Sequence, residues 1–355
     1  DFIEKPFKAD RLVLVADRAL EASRLKREVK ELKTRSVQAS RIVGRSTAAN
    51  QLRATLERVA PTNARVMITG DPGTGKELAA RTLHALSSRA SGPFVVINSA
   101  TITPESMEEE LFGIEAVEGR LRRVGALEEA HSGTLYLDEV SDMPKETQGR
   151  ILRVLIDQNF QRVGGTTRVH VDVRIVSSTC KDIVGEIAAG RFREELFHRL
   201  NVVPIRVPSL SERREDVPDL IDFFMEQLSV ASGLARRSIA GDAMAVLQSH
   251  EWPGNVRELR NNVERLMILT KGDPLAEVTT EMLPAEVGAL VPVTPTGSGG
   301  EKLMSLPLRE AREIFEKEYL VAQIARFSGN ISRTAEFIGM ERSALHRKLK
   351  SLGVE

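Results

Sequence analysis

The chain has 355 residues, enough for two or three domains with buried cores. Its 50 lysines and arginines balance 50 aspartates and glutamates, so no global charge draws the whole molecule to nucleic acid or to a membrane surface. Any contact with nucleic acid must therefore be local. A single cysteine excludes an intramolecular disulfide and a cysteine-only zinc cluster, and it suits a reducing compartment. Because no apolar run approaches about 18 residues, the sequence predicts a cytoplasmic protein without a membrane span.

The first part of the chain combines a helical pattern with an alternating one. Residues 1–40 carry apolar positions at helical spacing with charged residues between them, which predicts a long, solvated linker helix. From residue 41 to about 210, strand-like apolar runs alternate with helical patterns. These runs are 65–69, 94–98, 134–138, 171–179 and 202–207. The alternation predicts an α/β domain with a parallel sheet and crossover helices.

The second part of the chain is predicted to be helical, with one interruption. Residues 211–288 lack strand signals and predict a small helical domain, in which Pro253 and Gly254 precede a helix start. Residues 289–304 are rich in Pro, Gly, Ser and Thr, which is typical of a flexible linker. Residues 305–355 predict further helices and end in a helix-turn-helix pattern.

A glycine-rich motif follows the run at 65–69 and reads Gly70-Asp71-Pro72-Gly73-Thr74-Gly75-Lys76. Glycines let successive backbone N–H groups turn toward phosphate oxygens, the N-terminus of the next helix adds positive potential, and the lysine reaches the β- and γ-phosphates. The motif therefore predicts a site for ATP or ADP. Glu77 departs from the general pattern, because it stands where Ser or Thr usually contacts magnesium.

Two carboxylates and two arginines are candidates for chemistry at this site. Asp138 ends the apolar run at 134–138 and Glu139 follows it. At the carboxyl edge of a strand, Asp138 is placed to hold the shell of a Mg²⁺ ion and Glu139 to orient an attacking water. Arg193 and Arg199 lie far along the chain and are candidates for stabilising phosphoryl charge from a neighbouring subunit. Ordinary ion pairing with the glutamates between them is the alternative.

Together these motifs resemble the AAA+ domain of bacterial enhancer-binding proteins, the NtrC-family activators of sigma-54 RNA polymerase, over nearly the whole chain. The resemblance implies a P-loop domain with a parallel sheet and a helical lid. Residues 42–46 match the segment that lies against adenine, and Trp-Pro-Gly-Asn-Val-Arg at 252–257 matches the second-sensor signature of the lid. Glutamate is usual at position 77 in this family. The implied nucleotide-binding residues are Ile42, Val43, Gly70, Asp71, Gly73, Thr74, Gly75, Lys76, Glu77, Leu78 and Arg257.

The resemblance also implies catalytic roles. Asn98 matches the switch asparagine that holds the catalytic Glu139 in the idle site, and Thr179 matches the first sensor. Arg193 and Arg199 match paired arginine fingers that act on the nucleotide of the next subunit, so hydrolysis requires a homodimer or a higher homo-oligomer. Whether the chain hydrolyses ATP weakly or only binds it stays open.

Both ends of the chain extend the resemblance. Residues 1–7 resemble the last strand of a receiver domain, which implies phosphorelay from a histidine kinase. Residues 329–353 resemble a Fis-type helix-turn-helix, with Gly339 and Met340 in the turn. The side chains placed to contact DNA are those of Arg342, Ser343, His346, Arg347 and Lys350. Because one short basic helix makes few phosphate contacts, we expect a dimer on inverted-repeat half-sites of promoter DNA.

One departure from the family decides the predicted function. Members that remodel polymerase carry the loop Gly-Ala-Phe-Thr-Gly-Ala, which touches sigma-54, shortly after Glu-Leu-Phe-Gly. Here Glu110-Leu-Phe-Gly113 continues as Ile-Glu-Ala-Val-Glu-Gly-Arg-Leu-Arg-Arg, without the Phe-Thr tip. Cys180 also stands where the family usually has asparagine. A missing loop beside retained nucleotide residues is typical of the branch of nitrogen-related response regulators that is paired with an NtrY sensor kinase.

The sequence thus predicts a DNA-binding response regulator of a two-component system that binds ATP or ADP. It would act with RNA polymerase by occupying promoters and not by remodelling sigma-54 polymerase. Two alternatives stay open. The first is an ATP-hydrolysing, sigma-54-dependent activator that uses residues 114–124 as a variant contact loop. The second is a DNA-binding regulator whose nucleotide pocket is purely structural, so that ligand stabilises the fold without turnover.

Overall fold

A computed structural model describes residues 41–115, 123–233, 235–269, 277–284, 287, 308–327 and 329–353. The receiver remnant and linker helix expected at 1–40, and the flexible linker expected at 289–304, lie outside the described residues. Within the described part of the chain, no helix is both long and apolar enough to cross a membrane.

A parallel sheet of five strands organises the first domain. In chain order the strands are β1 (Val66–Thr69), β2 (Phe94–Asn98), β3 (Thr134–Asp138), β4 (Asn159–Gln161), β5 (Arg168–His170), β6 (Arg174–Thr179) and β7 (Val203–Arg206). The parallel strands lie in the order β2-β3-β6-β1-β7, while β4 and β5 form a separate antiparallel pair. The register aligns Thr69 with Thr179 and Asn98 with Asp138, so these four residues share the carboxyl edge of the sheet.

Helices pack against two hydrophobic clusters on the sheet. They are α1 (Thr47–Val59), α2 (Lys76–Ala85), α3 (Pro104–Phe112), α4 (Ala126–Glu129), α5 (Lys145–Asp157), α6 (Ile183–Ala188) and α7 (Glu194–Leu200). Because side chains alternate along a strand, β1 sends Met67 into one cluster and Val66 and Ile68 into the other. Helix α1 begins where the Ser46 hydroxyl accepts a hydrogen bond from the N–H of Ala49.

Strands β2 and β3 have the bounds that the sequence predicts, whereas β6 is shorter. The apolar run begins at residue 171, but β6 begins at Arg174. The residues before it bond elsewhere: the N–H of Val171 donates to the carbonyl of Gln158, and the carbonyl of Asp172 accepts from the N–H of Ser132. Apolar pattern alone cannot separate such a connection from the strand that follows it.

The second domain is helical. A short 3-10 helix, Ser211–Asp216, is kinked at Arg213 and leads into α8 (Val217–Ser232), which is followed by α9 (Gly241–Ser249) and α10 (Asn255–Leu269). These helices enclose Trp252, which is 1% exposed and donates its indole N–H to the carbonyl of Leu247. Helix α10 starts immediately after Pro253 and Gly254, where the sequence predicts a helix start.

Three helices follow the linker: α11 (Leu308–Arg326), α12 (Ile331–Phe337) and α13 (Arg342–Ser351). Their buried core contains Leu320, Ala335, Leu345 and Leu349. Asn330 caps α12 by accepting from the N–H of Arg333, and the chain turns toward α13 at residues 339 and 340. Helix α11 also packs against α9 of the second domain.

Candidate functional site

The candidate site is built at the carboxyl edge of the sheet, where the loop at 70–76 joins β1 to α2. Helix α2 begins at Lys76, so its N-terminus faces the loop. Gly73 has a φ of 78°, and a Cβ at this position would lie 2.2 Å from the carbonyl oxygen of Gly254. Glycine is therefore required here both for the loop conformation and for the close approach of the second domain.

Lys76 is buried at the centre of the site, with a side chain that is 7% exposed. Its Nζ donates to the carbonyl of Gly70 at 2.9 Å and lies 3.1 Å from Oε1 of Glu139. The other carboxylate oxygen of Glu139 accepts from the backbone N–H of Cys180 at 2.8 Å. The two residues predicted to act on a nucleotide therefore form an ion pair with each other.

Asp138 is held by three neutral donors. Its Oδ2 accepts from Nδ2 of Asn98 at 2.9 Å, and its Oδ1 accepts from the hydroxyls of Tyr136 (2.9 Å) and Ser178 (2.5 Å). Burial raises the pKa of Tyr136, so its hydroxyl remains a donor. Tyr136 and Ser178 are not among the site residues that the sequence predicts. The available signal was position, because Tyr136 lies two residues before Asp138 and so shares its face of β3.

Asn98 contacts a different carboxylate from the one expected. The sequence predicts that it holds Glu139, but its amide donates to Asp138 and its carbonyl oxygen accepts from the N–H of Ala100. The parallel register places Asn98 directly opposite Asp138, whereas Glu139 turns away with a φ of 50° toward Lys76. The predicted switch role of Asn98 stays a prediction.

Thr179 lies at the end of β6 and is 1% exposed. Its hydroxyl bonds that of Ser141 at 2.9 Å and accepts from the N–H of Lys181 at 3.0 Å. Ser141 belongs to the short helix that directly follows Glu139. Thr179 therefore links β6 to the backbone that directly follows Glu139, and its role as a sensor stays a prediction.

The second domain closes over the loop and forms a cavity of about 500 Å³. Asn255 donates its amide to the carbonyl of Pro72 at 3.0 Å, and the N–H of Arg257 donates to the carbonyl of Gly73 at 3.3 Å. The predicted residues that line this cavity are Gly73, Gly75, Lys76, Glu77, Asn98, Asp138, Glu139 and Arg257. Phe224, Val256 and Arg260 also line it and are not among the residues that the sequence predicts.

The other predicted nucleotide residues surround the cavity. The Thr74 hydroxyl donates to the carbonyl of Asp71, and the carbonyl of Gly70 accepts from Lys76. Leu78 packs into the core between the sheet and helices α1 and α2. The hydrogen bonds of Gly70, Asp71 and Thr74 hold the loop in shape, and these three residues and Leu78 are not among those that line the cavity.

Residues 42–46 join the two domains. Ile42 packs in a core of the sheet domain, while Val43 packs against the core of the helical domain. Asp216, which is fully buried, accepts from the N–H groups of Arg45 and Ser46 at 2.7 Å each and from the Ser46 hydroxyl at 2.6 Å. Asp216 is not among the residues that the sequence predicts, because an acidic residue in a highly charged run ordinarily indicates a solvated face.

Arg193 and Arg199 lie at the two ends of the short helix α7, and neither is among the residues that line the cavity of their own chain. Arg193 precedes α7 and donates its Nε to the carbonyl of Lys145 at 3.2 Å, while Arg199 lies in the last turn. Both side chains are exposed and neither lines the cavity. Their roles as fingers for a neighbouring subunit stay predictions.

Cys180 lies beside the Glu139 carboxylate. We expect a buried, inert thiol from the sequence, but the residue is exposed. Partial burial raises the pKa of the Cys180 thiol, and the neighbouring Glu139 carboxylate raises this pKa further. A low thiolate fraction, and not inaccessibility, therefore limits its reactivity.

Alkylation of Cys180 tests this arrangement without interference, since the chain has no other cysteine. At about pH 8 we expect iodoacetamide to react several-fold more slowly with the folded chain than with the urea-unfolded chain, because a raised pKa leaves less thiolate. Glu139→Gln removes the neighbouring negative charge and is expected to accelerate the reaction. Equal rates for the wild-type chain and Glu139→Gln would contradict the proposed influence of the carboxylate.

The five residues predicted to contact DNA lie on one side of α13. Arg342, Ser343, His346, Arg347 and Lys350 are exposed, whereas Leu345 and Leu349 are buried in the core of the three helices. Spacings of three and four residues place the exposed side chains on a continuous helical face. This face is basic and projects into solvent.

Two residues near the ends of the variant contact loop considered at 114–124 form hydrogen bonds with each other. The N–H of Ile114 donates to the carbonyl of Arg123 at 2.9 Å, and the N–H of Arg123 donates back at 3.2 Å. The N–H of Glu115 also bonds the carbonyl of Val163, and the Arg123 guanidinium pairs with Glu110. Residues 116–122, which include most of the variant contact loop considered at 114–124, lie outside the described residues.

The fold and the site define the class of the protein, and three family models match it in order. The models are the Sigma-54 interaction domain at residues 42–206, the AAA+ ATPase lid domain at 211–297, and the Bacterial regulatory protein, Fis family, domain at 311–352. They confirm the predicted fold class: an AAA+ P-loop domain with a parallel sheet, a helical lid and a C-terminal Fis-type helix-turn-helix. Hereafter the second domain is called the lid.

Individual relatives narrow this class. The nitrogen assimilation regulatory protein NtrX of Azorhizobium caulinodans is 68% identical over 354 residues, which cover 100% of this chain and 78% of that protein. The DNA-binding transcriptional regulator NtrC of Rhizobium meliloti is 38% identical over 382 residues, with 100% and 78% coverage. The crystal structure of NtrX from Brucella abortus in complex with ADP has 67% identity and a TM-score of 0.84, covering 100% of this chain and 77% of that one. The chain belongs to the NtrX group of NtrC-family response regulators, the branch that the missing loop predicts.

Proposed function

We propose that the chain forms the nucleotide-binding and DNA-binding part of a response regulator that controls transcription by occupying promoters, without remodelling sigma-54 polymerase. The observation that carries this proposal concerns the segment between Ile114 and Arg123, where the family's contact loop would lie. Ile114 and Arg123 bond each other across a segment, residues 115–122, that contains neither Phe nor Thr. Without the Phe-Thr pair, the segment lacks the residues with which polymerase-remodelling members of the family touch sigma-54. By relation to the A. caulinodans protein, we assign the regulated genes to nitrogen assimilation.

The cavity fits ATP or ADP. Lys76, Arg257 and Arg260 line it and supply positive charge for phosphate groups, and the loop at 70–76 supplies backbone N–H groups. The B. abortus relative, solved in complex with ADP and in complex with ATP, supports this ligand class.

The residues present also fit a magnesium ion that is bound mainly through phosphates and water. Asp138 and Glu139 offer carboxylate oxygens at the cavity, and the described residues contain no cluster of three or more ligating side chains. Mg²⁺ typically uses one or two carboxylates together with substrate phosphates. When bound, it would neutralise phosphate charge, while Asp138 would hold its water shell and Lys76 would pair with a phosphate oxygen.

The exposed basic face of α13 provides the contact with promoter DNA. Five polar side chains make few contacts with DNA, so a homodimer on two half-sites is needed for useful affinity. We assign control of this assembly to phosphorylation, by an NtrY-like histidine kinase, of a receiver joined to the chain through the segment at 1–40. RNA polymerase is then the partner at the promoter.

A purified transcription system tests the proposal. We expect the protein to shift promoter DNA in a binding assay and to give no ATP-dependent opening of a sigma-54 promoter, because the loop that engages sigma-54 is missing. A sigma-54 activator that carries the Gly-Ala-Phe-Thr-Gly-Ala loop serves as the positive control in the same reactions. Robust, ATP-dependent opening by this protein would overturn the proposal.

A second candidate function, an ATPase that needs assembly, is favoured by the placement of the two arginines. Arg193 and Arg199 are exposed and lie outside the cavity of their own chain, where they are available to a neighbouring subunit. Asp138 and Glu139, in contrast, lie in the cavity.

Steady-state hydrolysis across a protein concentration series separates this candidate from a structural pocket. An assembling ATPase predicts a specific activity that rises with concentration and falls about 100-fold or more in Arg193→Ala and Glu139→Gln. His198→Ala, on the exposed side of the helix that Arg193 precedes, is the matched control for Arg193→Ala. Tight ADP binding with negligible turnover at every concentration would support a pocket that only stabilises the fold.

A further inference from the structure

The 3-10 helix Ser211–Asp216 contacts three separate parts of the molecule. Through Arg213 it reaches the phosphate loop, through Asp216 it holds residues 42–46, and through Glu215 it reaches the DNA-binding helices. It also begins the lid, because α8 follows it without a break. The phosphate loop and the DNA-binding helices are therefore both in contact with this short helix.

On the nucleotide side the contacts are buried. Arg213 is 4% exposed, and its guanidinium donates to the carbonyl of Thr74 in the phosphate loop at 3.0 Å. Asp216 fixes residues 42–46, and Gly44 approaches so closely that a Cβ there would lie 2.3 Å from the Asp216 carboxyl carbon. A change in either the loop or the adenine-facing segment must therefore displace this helix or strain its hydrogen bonds.

On the other side the helix pairs with the helix-turn-helix. Glu215 forms an ion pair with Arg333 of α12, and its side chain is 20% exposed. A second polar contact involves α11, where Arg326 donates its Nε to the side-chain oxygen of Gln248 in α9 at 3.0 Å. Both contacts join the lid to the DNA-binding helices, and α11 also packs against α9.

The docked position leaves the recognition face free. Arg342, Arg347 and Lys350 of α13 are exposed while Arg333 pairs with Glu215. The contact with the lid therefore does not cover the surface that would meet DNA. It instead fixes the direction in which α13 points from the lid, and that direction determines whether two copies can reach two half-sites at a set spacing.

We propose that Ser211–Asp216 couples the two sites, so that nucleotide binding in the cavity changes DNA affinity through the Glu215–Arg333 pair. This inference rests on the proposed function, since it assumes both ligands. Coupling between two sites is reciprocal, so DNA must change the affinity for nucleotide by the same factor. We expect a factor of about three, the size that a partly exposed ion pair supports.

The test is calorimetric titration of the protein with ADP, with and without a duplex of about 30 base pairs selected by the wild-type protein from a random-sequence pool. In the wild type, we expect DNA to change the ADP dissociation constant about three-fold, and ADP to change the DNA dissociation constant by the same factor. Glu215→Gln removes the ion pair, keeps the shape of the side chain and lies on the lid, away from the DNA-contacting face. We expect it to bind each ligand alone and to show a coupling factor near one.

Two further variants keep the test specific. Glu212→Gln lies on the same short helix, but its hydrogen-bond partners Arg206 and Ser209 are outside the DNA-binding helices, so coupling should persist. The charge reversal Glu215→Arg with Arg333→Glu should restore coupling.

Equal ADP affinity with and without DNA in the wild type, or unchanged coupling in Glu215→Gln, would overturn the inference. Failure of the wild type to bind either ligand alone would instead overturn the proposed function, and the inference with it.

Discussion

Lys76→Ala is expected to lower the affinity for ADP about 100-fold, because the variant loses a charge-assisted contact with phosphate in a buried site. The side chain of Lys76 is 7% exposed and lies within 3.1 Å of the Glu139 carboxylate. Removing the lysine also leaves that carboxylate without its cationic partner beside the position of the phosphates, and this repulsion adds to the loss. Calorimetric titration with ADP, which is not consumed, measures the change directly.

Lys145→Ala provides the matched control for this prediction. Lys145 is an exposed lysine of the same domain, at the first position of α5, and it does not line the cavity. We expect its ADP affinity to equal that of the wild type. If Lys76→Ala bound ADP as tightly as Lys145→Ala does, the ligand would not lie in the loop at 70–76, and the nucleotide assignment would be wrong.

The parts of the site that the sequence predicts are those that depend on local pattern. A glycine-rich loop between a strand and a helix, and carboxylates directly after a buried strand, must come together because the carboxyl ends of parallel strands share one edge. Lys76, Asp138 and Glu139 accordingly line one cavity. The five residues of α13 follow from the same kind of reasoning, since helical spacing fixes which side chains face outward.

The parts that the sequence did not predict depend on long-range packing. Asp216 lies 170 residues from Ser46, and no local pattern indicates that its charge is buried against a backbone. The contact of Asn98 with Asp138 depends on strand register together with the positive φ of Glu139. Neither the pair Glu215–Arg333 nor the approach of the lid to Gly73 has a sequence signal, because each is set by how two domains dock.

Asp216 leads to the largest expected effect on stability. Asp216→Ala removes the acceptor of three hydrogen bonds and leaves two buried or partly buried N–H groups, those of Arg45 and Ser46, without a partner. Unpaired buried donors carry their full desolvation cost, so we expect the free energy of unfolding to fall by about 3 kcal/mol. Urea unfolding followed by tryptophan fluorescence reports this change in the lid, because Trp252 is the single tryptophan and is buried in the lid core.

Asp219→Ala is the control that distinguishes the destabilisation expected for Asp216→Ala from the loss of any nearby carboxylate. Asp219 pairs with Arg45, but the arginine side chain is 89% exposed, and an exposed ion pair contributes at most about 1 kcal/mol. A difference of about 2 kcal/mol between the two variants is therefore expected. Equal destabilisation would mean that Asp216 acts through its charge alone. The hydrogen bonds that Asp216 accepts from Arg45 and Ser46 would then not be what fastens residues 42–46 to the lid.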